Sequence, residues 1–76
     1  MATHARLLAV LTGKPCTTPE LRELGFLAPA ARVCELRQQG HEIVTRMVFT
    51  FAEDGKPHRV AQYHFYPDME QGSLFN

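Results

Sequence analysis

The amino-acid sequence predicts an α+β fold: three helices followed by a two-stranded antiparallel hairpin. Three observations predict it. Apolar residues recur at spacings of three and four through the first half of the chain. Glycine and proline punctuate that half at intervals suited to short helices. From Glu42 onward the period drops to two, interrupted by the turn sequence Ala52-Glu53-Asp54-Gly55-Lys56-Pro57.

The first helix is expected over residues 3–12. Thr3 can cap it, and Leu7, Leu8, Val10 and Leu11 supply its apolar spacing. Gly13 and Pro15 stop it. A second, short helix follows, with Thr18 as the expected N-cap, Pro19 at the first helical position and Glu20 at the positive helix end. Leu21 and Leu24 form its apolar face, and Gly25 supplies a left-handed stop. Pro29 opens the third helix. Ala30, Val33, Cys34 and Leu36 are expected to line its buried side, and Gly40 ends it. Two helices joined by a Gly-containing turn of about four residues form a helix-turn-helix arrangement.

In the second half, Ile43, Thr45, Met47, Phe49 and Phe51 alternate with Val44, Arg46, Val48 and Thr50. Asp54-Gly55 is a hairpin signal, and residues 58–66 read as the returning strand. An isolated hairpin is marginal in water, so its apolar face must pack on the helices. Val44 and Val48 are expected on the outer face. The order of elements is that of a winged helix-turn-helix. Residues 1–66 are read as this domain and residues 67–76, rich in polar and turn-forming residues, as a flexible C-terminal tail.

Bulk properties bound the alternatives. At 76 residues there is room for one small domain, and 45% apolar content argues against disorder throughout. No apolar run approaches the roughly 20 residues of a membrane span. The N-terminal stretch lacks the pattern of a secretory signal. Cys16 and Cys34 are too few for a disulfide framework and are read as reduced thiols of a cytoplasmic protein, Cys34 on the core face. Eight basic and eight acidic residues give a net charge of zero, so any positive patch must come from local placement.

The third helix is the first place to look for chemistry. The second helix of a helix-turn-helix presents its N-terminal half to the major groove. With Val33 and Leu36 buried, the opposite face is expected to carry Pro29, Arg32 and Glu35. Arg32 is the candidate for reading a base edge, because its guanidinium fork matches guanine. Arg37 and Arg46 are candidate phosphate contacts. Lys56, His58 and Arg59 lie at or just after the hairpin tip, opposed there by Glu53 and Asp54. No histidine or cysteine falls in a metal-ligand spacing, and no nucleophile elbow, phosphate loop or carboxylate pair appears. The sequence therefore predicts neither an enzyme nor a cofactor or metal site.

The tail carries a separate signal. Gln71, Ser73, Leu74 and Phe75 resemble the short peptide by which bacterial polymerases and repair proteins dock on the replisome's sliding clamp, with Gly72 departing from the pattern. Leu74 and Phe75 are apolar anchors on an otherwise polar segment.

Residues 30–43 resemble the small phage and prophage helix-turn-helix proteins. Ala31, Arg32, Val33, Leu36, Arg37, Gly40 and Ile43 match their signature, with Tyr63 in the returning strand. The resemblance covers residues 3–66 and implies double-stranded DNA as the partner of a mobile-element protein, here expected to be a regulator or replication accessory; a homodimer would strengthen binding, since one neutral module makes few phosphate contacts. The competing class is a module that binds protein through the winged-helix surface or through the tail.

Overall fold

The computed structural model describes residues 3–67. Its elements run α1 (Thr3–Gly13), β1 (Cys16–Thr17), α2 (Thr18–Glu23), α3 (Pro29–Gln38), β2 (Ile43–Phe51) and β3 (Pro57–Phe65). The expected helices and hairpin are present. The sheet, however, has three strands in the order β1-β3-β2 and not the two expected. The added strand β1 pairs antiparallel with β3, Cys16 opposite Tyr63 and Thr17 opposite Gln62. It makes β3 the central strand and ties the α1–α2 connection to the hairpin.

Thr17 starts α2, not Thr18 as expected. Glu20 N–H donates to Thr17 Oγ1 at 3.3 Å, and Thr17 N–H donates to Glu20 Oε1 at 2.8 Å. This reciprocal capping box satisfies a donor at each end of the first turn. Pro19 consequently occupies the second helical position. At the other end Gly25, at φ 102°, closes α2: Gly25 N–H reaches Arg22 O at 3.0 Å and Phe26 N–H reaches Leu21 O at 3.0 Å. This pair of bonds is a Schellman motif, and it delivers Phe26 into the core directly after the turn. α3 ends in the same way. Gly40 lies at φ 101°, its N–H bonded to Arg37 O, and His41 N–H is bonded to Leu36 O.

Leu7 and Leu11 from α1, Leu21 from α2, Phe26, Val33 and Leu36 from α3, and Cys16, Ile43 and Tyr63 from the sheet form the core. Several placements depart from expectation. Pro29 is buried, whereas Ala30 and Cys34 are exposed. The buried line of α3 is Pro29, Val33 and Leu36, spaced by four and three, so it runs along one helical face. Expecting Ala30 and Cys34 inside rotated that face toward small residues whose burial contributes little. Leu24 is likewise exposed, because it sits at the C-cap of α2. Both cysteines are free thiols, as expected, but Cys16 is the buried one.

The hairpin pairs residue for residue from Ile43 opposite Phe65 to Phe51 opposite Pro57. Its two ends fix the hydrogen-bond phase: Tyr66 N–H reaches Glu42 O, and Ala52 N–H reaches Lys56 O. Even-numbered residues of β2 therefore bond to β3, and the odd-numbered ones turn their N–H and C=O groups to the free edge. Pro57 faces Phe51 at a pair that exchanges no bonds across the hairpin, so its missing N–H costs nothing there. Val44 and Val48 are half-buried and not on an exposed outer face. The exposed apolar row is Met47, Phe49 and Phe51, which continues the core-facing side of Ile43 beyond the helices.

Candidate nucleic-acid interface

With Pro29, Val33 and Leu36 turned inward, the outward line of α3 is Ala31, Cys34 and Gln38, flanked by Ala30 and Arg37. These side chains are exposed. Gln38 Nε2 donates a long, exposed hydrogen bond to Cys34 Sγ at 3.9 Å. Gln38 was not singled out from the sequence. The signal that finds it is its place opposite Val33 and Leu36, and an amide there suits base-edge recognition.

Arg32 and Glu35 occupy the seam between α3 and α1. Arg32 donates from an Nη to Glu35 Oε2 at 2.9 Å. Its Nε lies 2.8 Å from Oε1 but is not aligned to donate, so that approach is an ion pair only. His4 Nε2, on α1, meets the same Oε1 at 2.6 Å. The hydrogen bond from His4, then that from Arg32, hold the Glu35 carboxyl below the usual carboxylate range. The pair is half-exposed and joins two helices. Arg32 and Arg6 border a cleft beside the first turn of α3, where Ala28 provides no side-chain cap. Arg6 itself is fixed: its guanidinium lies 4.5 Å over the Phe26 ring and donates to the Leu24 carbonyl.

Arg37 ties α3 to the hairpin. Its Nε donates to Ile43 O at 2.6 Å, and an Nη donates to Thr45 Oγ1. The expected phosphate contact is thus also a brace that sets the angle between α3 and β2. At the hairpin tip Asp54 organises the turn, accepting from Lys56 N–H at 2.9 Å and lying 3.4 Å from His58 Nε2. Lys56, Arg59 and Arg46 are exposed, and their side chains make no ion pair among the described residues. Pro29 is buried and offers nothing to a ligand. The tail residues Gln71, Leu74 and Phe75 lie outside the described residues.

A model of the winged helix-turn-helix domain matches residues 3–67. The chain belongs to the winged helix-turn-helix family. For a winged helix-turn-helix protein the recognition element is α3 and the wing is the β2–β3 hairpin, and both are in place here with an exposed outer surface. No curated protein and no solved structure matches the chain. The family implies DNA as the partner. Among the described residues no helix is long and apolar enough to cross a membrane, and no group of three metal-binding side chains converges.

A second surface lies on the hairpin. A mostly apolar groove runs between the start of α2 and the wing, lined by Thr17, Pro19, Glu20, Thr50, Phe51, Ala52, His58 and Val60. It contains no basic residue beyond His58.

Proposed function

We propose that this winged helix-turn-helix protein binds double-stranded DNA with α3 in the major groove, as a non-enzymatic regulator or replication accessory of a phage or prophage. The observation that carries the reading is the exposed outer line of α3 together with a wing whose exposed Lys56, Arg59 and Arg46 make no ion pair among the described residues. Gln38 is the side chain for an adenine edge, and Ala30 and Ala31 are small enough to let the helix approach thymine methyl groups. Arg46, Lys56 and Arg59 supply phosphate contacts, with Arg32 adding one from the seam beside the first turn of α3. The similarity of residues 30–43 to small phage and prophage proteins supports the mobile-element setting, inside the cell.

Few cations face the duplex, so binding is weak for one copy and the salt dependence is shallow. About four phosphate contacts give a log–log salt slope of roughly −3.6. Fluorescence anisotropy with a random duplex at low salt tests this. Arg46→Ala with Arg59→Ala should weaken all duplexes and flatten the slope by about two. Gln38→Ala should weaken only a preferred sequence. Failure of the unaltered protein to bind any duplex at low salt would refute the reading.

The neutral charge and the exposed apolar hairpin favour a second reading, a protein-binding module. In this reading Gln71, Leu74 and Phe75 dock on the sliding clamp. A chain ending at Pro67 separates the two: loss of clamp capture with DNA binding retained assigns each activity to its own segment.

A further inference from the structure

The β2 edge has no protection of the usual kind. Its neighbour on one side is β3, and among the described residues no strand covers the other side. Natural sheets blunt such edges with proline, lysine, bulges or very short strands. β2 runs nine residues from Ile43 to Phe51 in unbroken register, has no proline or lysine, and carries Arg46 as its single charge. The backbone groups of Thr45, Met47, Phe49 and Phe51 point outward from this edge. Among the described residues only the lower end is occupied, where Arg37 takes the outward carbonyl of Ile43. Met47, Phe49 and Phe51 are 51%, 66% and 74% exposed and stand in one row along the same edge.

The geometry points to a second copy of this chain as the occupant, joined β2 to β2 in an antiparallel two-fold pair. An edge strand of this kind is its own complement, because a two-fold axis matches outward N–H groups with outward carbonyls. Centred on Phe49, the pairing sets Phe49 against Phe49 of the second copy and Met47 against Phe51. The same register places Arg46 against Ala52, so no like charges meet. About six backbone hydrogen bonds form between Met47 and Phe51 of the two strands. The two apolar rows then lie side by side as cross-strand neighbours. A lone DNA-binding module of zero net charge gains most from such pairing, since the dimer doubles its phosphate contacts. That last point rests on the DNA-binding reading; the edge argument does not.

The area sets the strength. An aromatic side chain buries about 150–250 Å² in full, so Phe49 and Phe51 leave roughly 100–150 Å² each uncovered. With Met47 and the edge backbone, the two copies together bury on the order of 800–1,000 Å², the size of a weak, reversible interface. Sedimentation equilibrium without DNA should show a monomer–dimer exchange with a Kd on the order of 100 μM. Phe49→Lys and Met47→Lys, both at exposed positions, should remain folded by circular dichroism and raise that Kd at least about 30-fold, as for a central contact residue. Hydrogen exchange gives a second readout. Protection that grows with protein concentration should appear at the amides of Met47, Phe49 and Phe51, whereas Val44 and Val48, already bonded to β3, should not change. A protein that stays monomeric to roughly 1 mM, a dimer that survives both lysine variants, or new protection confined elsewhere would overturn the proposal. A monomer that binds DNA sinks only the dimer, and a dimer that ignores DNA sinks only the DNA reading.

Discussion

Replacing Thr17 by alanine removes an acceptor that nothing else nearby can supply. Thr17 is 6% exposed, caps α2 through Glu20 N–H, and sits opposite Gln62 in the sheet. The variant leaves the Glu20 N–H unpaired and loses a methyl from a packed site. Loss of an N-cap hydroxyl costs about 1 kcal/mol and up to about 2. The buried methyl adds about 0.8 kcal/mol. A total near 2 kcal/mol is a large share of the roughly 4–11 kcal/mol expected for a domain of this length. In thermal unfolding this corresponds to a Tm lowered by roughly 8–16 °C. Thr18→Ala is the comparison. Thr18 is the first helical residue and makes no cap, so its loss should shift Tm by less than about 3 °C. Thr17→Ser should restore most of the lost stability by restoring the hydroxyl. If Thr18→Ala costs as much as Thr17→Ala, or if Thr17→Ala is neutral, the capping-box assignment is wrong.

Phe26→Ala empties the site filled by the Schellman turn and should cost about 3–5 kcal/mol, read as a loss of urea midpoint near the limit of foldability. The Glu35 carboxyl is held low by His4 and Arg32. Its contribution is therefore complete above the usual carboxylate range and fades as pH falls through the depressed folded value, so Glu35→Gln should lower stability at neutral pH, with the difference from the unaltered protein shrinking in acid and the acid limb of the stability–pH profile flattened. Cys34 is exposed, whereas burial, and then Glu20, push the Cys16 thiol up. Iodoacetamide at neutral pH should modify Cys34 alone, with the second adduct appearing only on unfolding, as mass spectrometry would show. Gly40→Ala has open space for its methyl but a left-handed backbone at φ 101°, and should cost about 1–2 kcal/mol.

Punctuation made the helices and the hairpin legible. Pro29, Gly25, Gly40 and the Asp54-Gly55 pair act locally, through backbone angles that the residues themselves prefer. β1 was not legible, because two residues carry no period and are defined by a partner more than 40 positions away. The facing of α3 was misread for a related reason. Ala30, Ala31 and Cys34 are small and weakly apolar, so their pattern does not fix the rotation, and Pro29 was not expected to join Val33 and Leu36 inside. In the site, Arg32 and Glu35 at a spacing of three were visible as neighbours, but the His4 that completes their cluster arrives from α1. The exposure of Phe49 and Phe51 depends on length. Nine strand residues reach about 30 Å, while helices of ten or eleven residues span about 15 Å, so the hairpin outruns α1 and α3 on the face that carries Phe49 and Phe51.

That overhang makes the wing a cantilever. Its root is clamped by Ile43 and Tyr63 in the core and braced by Arg37 from α3. Its outer half is stiffened by its own ladder, with the start of α2 alongside at the groove lined by Thr50, His58 and Val60. Any load on the tip, whether phosphate or protein, is transmitted as torque through the root and Arg37 to the helix that stands beside it. The mechanical coupling between wing and recognition helix in this protein therefore runs through the shared core of Val33, Leu36, Ile43 and Tyr63 and through the two hydrogen bonds of Arg37.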